Sequence, residues 1–324
     1  MSSFTRHLKG LLAALVLLAG LAANAHAAER APSELRIGFQ KSSINLLIVK
    51  QLGLLEKRFP AAKVSWIEFP AGPQLLEALS VGSLDFGMTG DSPPVFAQAA
   101  GKDLLYVGAE APKPENSAIL VPANSALRSL VDLKGKRVAL QKGSSAHFVV
   151  VQALKKAGLK WADIEPIYLT PADARAAFER GSVDAWAIWD PYYAAAELAI
   201  KPRVLSSGKG LSSNNTFYLA ATNFARQQPA AVLGLLDALS QAEAWTQAHK
   251  LEAAQTYSKV TGLDLPTAQR FVDRRPSTDV KPLVAAHVAE QQQVADAFLE
   301  LGLIPRAIKV SDIVWQAPAA VVAQ

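Results

Sequence analysis

The sequence predicts an α/β fold of two similar lobes, because the same structural unit occurs twice along the chain. The segment RIGFQKSS at residues 36–43 recurs as RVALQKGSS at residues 137–145. In the same way, GSLDFGMTGDSPP at residues 82–94 recurs as GSVDAWAIWDPY at residues 181–192. Both pairs lie about 100 residues apart, so two units of equal length follow one another. Two similar lobes that each hold a polar turn usually face one another across a cleft.

The first unit alternates strands with helices, which is typical of a parallel sheet with right-handed crossovers. Ile44, Leu47 and Ile48 follow helical spacing and predict a helix after the first strand. The run PAGP at residues 70–73 ends the second strand and begins another helix. The predicted elements are strands at 35–40 and 64–69 and helices at 43–59 and 74–81.

The second unit repeats this order of elements. Its predicted strands lie at 137–141 and 165–169, and its predicted helices at 146–157 and 172–180. A short apolar run at 118–121 is predicted to cross from the first lobe into the second, and a strand at 217–221 is predicted to return. The helices predicted after it, at 230–249, 251–261, 266–272 and 282–302, are assigned to the first lobe.

These assignments predict a first lobe of residues 28–121 and 217–324 and a second lobe of residues 122–216. The two crossings form a two-strand hinge, on which the lobes can close by bending at a few residues. The bending points are expected near Val121 and Thr216. Thr216 is also a candidate ligand contact, since it stands where the hinge meets the cleft.

The composition is that of a globular, exported protein. The chain has 324 residues, of which 50% are hydrophobic and 19% charged, enough for about two packed cores. Residues 1–27 combine Arg6 and Lys9, an apolar run and the ending Ala25-His26-Ala27, the order of a secretory signal peptide. The alternative is a membrane anchor, but the apolar run is shorter than the ~20 residues that a span needs.

The sequence contains no cysteine, which excludes disulfides, thiolate metal sites, catalytic thiols and a lipid anchor on cysteine. An exported protein without an anchor stays near its cell only behind an outer membrane, so the periplasm of a Gram-negative bacterium is predicted. The chain has a net charge of +5, but its basic residues form no dense run, which argues against a nucleic acid as a partner. A small anionic ligand fits the mild surplus of positive charge.

The polar turn after the first strand of each unit is a candidate anion site. In open parallel sheets, ligands bind beyond the carboxyl ends of strands, where helix N-termini present free N–H groups. The predicted contacts are Gln40, Lys41 and Ser42 in the first turn and Gly143, Ser144 and Ser145 in the second. Gly143 would let the backbone approach a ligand closely, and the two serines would donate hydroxyl hydrogens. The alternative is that the serines only cap the helix that follows.

The glycine-led strands end in residues that shape the predicted site. Asp91 and Asp190 precede proline and resemble helix starts, so capping at the rim of the cleft is their expected role. Gly90 aligns with Trp189 in the other unit. This asymmetry predicts that Trp189 forms an aromatic wall for the apolar part of a ligand, with packing in the core or between lobes as the alternative.

Two further residues are candidates, and catalysis is not predicted. His147 could donate to an anion, although histidine at the start of an amphipathic helix is commonly on the surface. Arg275, in the triplet Arg274-Arg275-Pro276, could supply charge to the cleft, although such pairs are more often solvated or ion-paired. No nucleotide-binding, serine-hydrolase or zinc-protease motif occurs, so neither a cofactor nor a metal is expected.

Several of these segments together resemble the periplasmic aliphatic sulfonate-binding proteins of ABC importers. They are RIGFQK, FPAGPQLLEAL, GSLDFGMTGDSPPVFAQAAG, LKGKRVALQKGSS, YLTPADARAAF and GSVDAWAIWDPYY, within a resemblance that spans residues 35–315. The resemblance implies a two-lobe type II periplasmic binding protein fold. It also implies an interlobe site formed by Gln40, Lys41, Thr89, Gly90, Gly143, Ser144, Ser145 and Trp189.

The same resemblance implies an alkanesulfonate ligand for a monomeric protein. The expected partner is a permease in the inner membrane with a cytoplasmic ATPase. Binders of taurine, nitrate and thiamine-precursor pyrimidines share the fold, so another small anion remains an alternative. An enzyme of the thiamine-pyrimidine type is a further alternative, against which the missing cysteines and the signal sequence argue.

Overall fold

The computed structural model describes residues 31–277 and 279–318, so the predicted signal peptide at 1–27 lies outside the described residues. The strands are β1 Glu34–Phe39, β2 Lys63–Glu68, β3 Phe86–Gly90, β4 Leu105–Glu110, β5 Ser117–Val121, β6 Arg137–Leu140, β7 Glu165–Tyr168, β8 Ala185–Trp189, β9 Arg203–Ser207 and β10 Thr216–Ala220. The first helices are α1 Ile44–Leu52, α2 Leu54–Arg58, α3 Gly72–Ser80, α4 Ser92–Ala99, α5 Ser145–Lys156, α6 Pro171–Glu179 and α7 Tyr192–Ala199. The later helices are α8 Thr222–Gln227, α9 Pro229–Ala248, α10 Lys250–Thr261, α11 Leu265–Arg274 and α12 Ala285–Glu300.

The strands form two five-stranded mixed sheets, which confirms the predicted α/β fold with two lobes. The first sheet has the order β2-β1-β3-β10-β4 and the second the order β7-β6-β8-β5-β9. In each sheet three parallel strands are followed by a strand that runs antiparallel to its neighbours, β10 in the first sheet and β5 in the second. In each sheet, this antiparallel strand is the one that the chain forms directly after it crosses between the lobes.

The strand at 117–121 belongs to the second sheet, where it pairs with β8 and β9. The predicted boundary after residue 121 had placed it in the first lobe. The crossing instead runs through residues 111–116, and the return runs through residues 208–215. The difference arises because an apolar strand that joins two lobes can pair with either sheet, and its sequence does not indicate which.

The duplication extends to an ion pair that fastens the first strand of each unit. Arg36 Nη2 lies 2.6 Å from Asp85 Oδ1, and Arg137 Nη2 lies 2.9 Å from Asp184 Oδ1. Both aspartates also accept a hydrogen bond from the backbone N–H of their arginine. Both arginines further donate to the carbonyl of the glycine that opens the GSLD or GSVD segment. The two repeated segments of each unit thus lie side by side.

Several predicted elements differ from the observed ones in their bounds. The helix predicted at 43–59 is divided at Gly53, whose φ of +60° ends α1. The helix predicted at 282–302 is α12, Ala285–Glu300. The strand β9 and the short helix α8 were not predicted, since neither has a long apolar pattern. In the described part of the chain, no helix has the length and apolarity needed to cross a membrane.

The lobes contact each other on both sides of the cleft. On one side, α5 of the second lobe packs against α4 and α12 of the first, and the rings of Phe148 and Phe298 lie 5.8 Å apart. On the other side, α7 packs against α11. These two contacts enclose the carboxyl ends of β1, β3, β6 and β8, where parallel sheets place their ligands.

Candidate functional site

A cavity of about 60 Å³ lies between the lobes at these strand ends. Nine of the residues predicted from the sequence line it, namely Gln40, Ser42, Gly90, Ser144, Ser145, Trp189, Asp190, Thr216 and Arg275. Seven others complete the wall, namely Gly72, Met88, Pro93, Lys113, Asn116, Asn214 and Phe271. Both repeated turns and both linking segments therefore contribute to one cavity.

Gly90 of the first lobe packs against Ser145 of the second. A Cβ atom built on Gly90 would collide with the Oγ of Ser145 and would lie 3.3 Å from its Cβ. A side chain at position 90 would therefore force the Ser145 side chain or the lobes to shift. Gly90 and Trp189 occupy equivalent positions in the two units, and the contact with Ser145 gives a steric reason why the first of them is a glycine.

The turn after β1 is largely tied to its own lobe. Gln40 donates from Nε2 to the Met88 carbonyl at 2.9 Å, which fixes its amide against β3. Lys41 was predicted to contact the ligand, but its ammonium donates to the Thr261 carbonyl at 2.8 Å and it does not line the cavity. Of the predicted residues in this turn, the structure brings Gln40 and Ser42 to the cavity.

The turn after β6 presents its two serines to the cavity. Ser144 is the N-cap residue of α5, yet its side chain makes no capping hydrogen bond and donates instead to the Gln141 carbonyl at 2.8 Å. The alternative that the serines cap the helix therefore does not describe the Ser144 hydroxyl. Gly143 has a φ of +73°, and its N–H donates to His147 Nδ1 at 3.2 Å. That N–H is engaged within the turn, and Gly143 does not line the cavity.

His147, predicted as a possible ligand contact with a surface position as the alternative, is fully buried between the lobes, so the alternative is wrong. Its ring lies 4.8 Å from that of Trp161 and 5.1 Å from that of Phe298, measured between centroids. Burial, with a smaller contribution from Lys142, lowers the pKa of His147 to about 3. The imidazole is therefore neutral, and it packs the lobe contact without lining the cavity.

Thr89 and Asp91 also lie away from the cavity. The Thr89 hydroxyl donates to the Gly90 carbonyl at 3.0 Å. Asp91 makes no helix-capping hydrogen bond, contrary to its predicted role; its carboxylate accepts from the Ser92 and Ser212 hydroxyls. Burial raises the pKa of Asp91, while nearby hydroxyls, that of Ser145 first, lower it. Asp91 instead lines a separate groove of about 650 Å³ beside α12.

Asp190 lines the cavity and accepts four hydrogen bonds. The N–H of Ala194, in the first turn of α7, donates to it at 3.0 Å, which agrees with the predicted role at a helix start. Asn116 donates at 3.2 Å, and Arg274 donates to both carboxylate oxygens, at 3.0 and 3.1 Å. Burial raises the pKa of Asp190 to about 7, although Arg274 and the backbone N–H lower it.

Two buried cations, Lys113 and Arg275, line the cavity and are paired with carboxylates behind it. Lys113 Nζ lies 2.6 Å from Glu110 Oε2, and Arg275 Nη2 lies 2.9 Å from Glu243 Oε2 and 3.6 Å from Glu110 Oε2. Burial alone would raise the pKa of Glu110, but Lys113 and Arg275 lower it to about 2. The carboxylate is therefore ionised, and the cluster places two cations and two carboxylates beside the cavity.

The cavity wall also contains polar groups that have no partner within the described residues. Arg275 Nε and Asn116 Oδ1 are buried and make no hydrogen bond there. Buried polar groups are almost always satisfied, so a water or a ligand atom is expected beside these two atoms. A small anion that carries an apolar part suits this lining, which contains an arginine, two serine hydroxyls and the ring of Trp189.

Sequence reasoning missed the residues of the two linking segments. Lys113 and Asn116 lie in KPEN, between β4 and β5, and Asn214 lies in SSNN, before β10. Both segments are polar and cross between the sheets, so they must pass the cleft. That topological argument could have identified them. Within the described residues, no group of three or more histidine, aspartate or glutamate side chains could hold a metal ion.

Comparison with known proteins places the chain in a family. Residues 63–253 match the family model described as NMT1/THI5 like. An aliphatic sulfonates-binding protein of Escherichia coli (strain K12) is 51% identical over 303 residues, which cover 94% of this chain and 95% of that protein. The crystal structure of the periplasmic aliphatic sulphonate binding protein of Escherichia coli matches with a TM-score of 0.82 at 52% identity, covering 89% of this chain and 93% of the other.

A second solved structure matches over a similar range. It is the alkanesulfonate-binding protein of Xanthomonas axonopodis pv. citri bound to MOPS, with a TM-score of 0.86 at 48% identity. The match covers 89% of this chain and all of that chain. The chain belongs to the NMT1/THI5-like family and, within it, groups with the aliphatic sulfonate-binding proteins.

Proposed function

We propose that this protein binds an aliphatic sulfonate between its two lobes and delivers it to an ABC importer. The observation that carries the proposal is the interlobe cavity, which is lined by both repeated turns and by Arg275 and Trp189. The relatives named above, which are described as sulfonate-binding proteins, support the same ligand class.

The sulfonate group is a fixed monoanion with three acceptor oxygens. The N-terminus of α5 can supply hydrogen bonds to it, and the Ser144 and Ser145 hydroxyls can donate to it once they turn from the Gln141 carbonyl and the Asp91 carboxylate, their partners in this structure. The carbon chain would then lie against Trp189 and Phe271, which line the same cavity. Because the two lobes contribute opposite walls, a bound sulfonate would hold them together.

The remaining parts of the proposal concern where and with what the protein acts. Export through the signal at residues 1–27 would place it in the periplasm. There it would present its ligand to a permease that is driven by a cytoplasmic ATPase. No catalytic step is assigned to the chain, since the groups at the cavity bind and orient an anion.

Titration calorimetry of the purified protein tests this function. Ethanesulfonate and longer alkanesulfonates should bind with a 1:1 stoichiometry and at least about tenfold more tightly than sulfate, nitrate or taurine, because they satisfy both the donors and the aromatic wall. Tightest binding of nitrate or taurine would favour another anion binder. A sulfite assay on the saturated sample should remain negative, and sulfite that accumulates in proportion to protein would identify an enzyme.

A further inference from the structure

Arg274 joins the two lobes at the wall of the cavity. It is the last residue of α11, in the first lobe, and its Nη1 donates to both carboxylate oxygens of Asp190, in the second lobe. Its Nη2 contacts Glu197 of α7, and its guanidinium carbon lies 3.9 Å from the centroid of the Tyr193 ring. The guanidinium is thus held on three sides by the opposite lobe.

Asp190 presents an electrostatic problem for an anion site. Its carboxylate lines the cavity and is 1% exposed, so a negative charge there would repel a bound sulfonate. Two of its other hydrogen-bond donors, the Ala194 N–H and the Asn116 amide, are neutral. Among the described residues, the cation in direct contact with it is Arg274, which comes from the other lobe.

The charged and titratable groups around Asp190 come from three helices. Arg274 and, at longer range, Arg270 act from α11, Glu197 and Tyr193 act from α7, and Tyr257 acts from α10. Asp190 itself precedes α7. Burial raises the pKa of Asp190, Arg274 lowers it and Glu197 raises it. Without Arg274, burial and Glu197 would both raise the pKa of Asp190, so its carboxyl group would bind a proton more readily.

We propose that Arg274 is a positioning residue that makes the cavity accept an anion, because it neutralises the Asp190 carboxylate from across the cleft. The inference rests on the proposed function, in which the ligand is a sulfonate. Since Arg274 and Asp190 belong to different lobes, the neutralisation is complete only when the lobes are together. Selection for an anion is therefore coupled to closure.

This role differs from that of a simple latch between lobes. A latch needs only a bond across the cleft, and Glu197 already pairs with both Arg274 and Arg270, from the other lobe. Charge neutralisation, by contrast, concerns Asp190 alone. Without Arg274, an anion should enter mainly when Asp190 has bound a proton, so binding should become sensitive to pH.

The test measures ethanesulfonate affinity by calorimetry at about pH 6 and about pH 9.5, because loss of Arg274 would raise the pKa of Asp190 above the value of about 7 that it has in the parent protein. The variants are Arg274→Gln, Arg274→Lys, Asp190→Asn, the double variant Asp190→Asn with Arg274→Gln, and Glu197→Gln as a control outside the cavity. Arg274→Gln should lose about 30-fold or more at the higher pH and clearly less at the lower pH, because an unpaired buried carboxylate is costly. The double variant should recover at least about tenfold of that loss at the higher pH and show little dependence on pH.

The other variants separate charge from structure. Arg274→Lys keeps the charge and should show the same dependence on pH as the parent protein. Glu197→Gln should stay within about threefold of the parent at both pH values, since Asp190 keeps its arginine. Melting temperatures of all variants identify any that is unfolded.

The proposal is overturned if Arg274→Gln loses the same affinity at both pH values and the double variant is no tighter than Arg274→Gln. That result would make Arg274 a latch. Failure of the parent protein to bind ethanesulfonate at either pH would instead refute the proposed function. Binding by the parent without rescue in the double variant would refute only the role of Arg274.

Discussion

The turn after β1 and the turn after β6 share a sequence pattern, QKSS and QKGSS, but they make different contacts. In the first turn, Gln40 and Ser42 line the cavity, but Lys41 donates to a backbone carbonyl of α10, away from it. In the second turn, Ser144 and Ser145 line the cavity, and the Ser144 side chain makes no capping bond. The extra residue, Gly143, adopts a positive φ and so offsets the second turn from the first. The two copies of the unit thus keep the same sequence pattern, although the residues of that pattern make different contacts.

The contacts that build the fold behave in the opposite way. The pair of Arg36 with Asp85 and the pair of Arg137 with Asp184 have the same partners and nearly the same geometry in both lobes. Each lobe needs its own ion pair to hold its strands together, whereas the single cavity needs only one set of ligand donors. Equivalent positions that retain their contacts therefore indicate the framework, and equivalent positions that differ indicate the site.

The largest effect is expected at Gly90, where a side chain would meet Ser145 of the other lobe. Gly90→Ala places a Cβ atom against Ser145 Oγ, so the Ser145 side chain or the lobes must shift, and ethanesulfonate affinity should fall by more than about 100-fold. The double variant Gly90→Ala with Ser145→Ala removes the clashing oxygen. It should bind like Ser145→Ala alone in calorimetry. A Gly90→Ala protein that binds like the parent would show that the lobes need not come this close.

The two turns can be compared directly by removing their polar groups. Ser144→Ala with Ser145→Ala should weaken ethanesulfonate binding by about 2–4 kcal/mol, from the loss of hydrogen bonds to a charged ligand. Lys41→Met, in the first turn, should leave affinity nearly unchanged. Ser182→Ala, an exposed serine of the second lobe, is the matched control. Equal losses from the two turns would contradict the assignment of the ligand to the second.

The sequence alone predicted the fold well because periodicity and the internal repeat both act over short distances. The strands β1, β6 and β8 and the two serines of the second turn follow from local patterns. The direction of the Lys41 side chain does not, since it depends on α10, more than 200 residues away. The burial of His147 depends in the same way on packing by α12, from the other lobe. Contacts between distant segments were therefore the part that could not be predicted.

A smaller and graded effect is expected at the position equivalent to Gly90. Trp189→Ala should reduce affinity for hexanesulfonate at least about fivefold more than for ethanesulfonate, because each CH₂ buried against the ring adds to binding. Calorimetry with both ligands on the parent and the variant measures this. If the two ligands lose affinity equally, Trp189 packs the lobes and does not select chain length.

The smallest effect on binding is expected from the framework pairs. Arg36→Met and Arg137→Met should each lower the melting temperature modestly and leave affinity within about twofold. Arg36→Met should lower it more, because the Asp85 side chain is 10% exposed and that of Asp184 is 32% exposed. A large loss of affinity in either variant would remove the distinction between framework and site.

Low pH should weaken the ion pair between Arg137 and Asp184. Hydrogen bonds from Arg137 lower the pKa of Asp184 in the folded protein. The stabilisation is therefore complete at neutral pH and is lost as the pH falls through that lowered value. The difference in melting temperature between the parent and Arg137→Met should shrink in acid. A difference that is independent of pH would show that the ion pair does not stabilise the lobe.

The position of the ligand site is tested most directly by locating a bound sulfonate in a crystal. Crystals grown with bromoethanesulfonate allow the bromine to be found by its anomalous scattering. One peak is expected beside Trp189, with the sulfonate oxygens within hydrogen-bond distance of the Ser144 and Ser145 hydroxyls. A peak in the groove beside Asp91 and α12, with the interlobe cavity occupied only by water, would contradict this position.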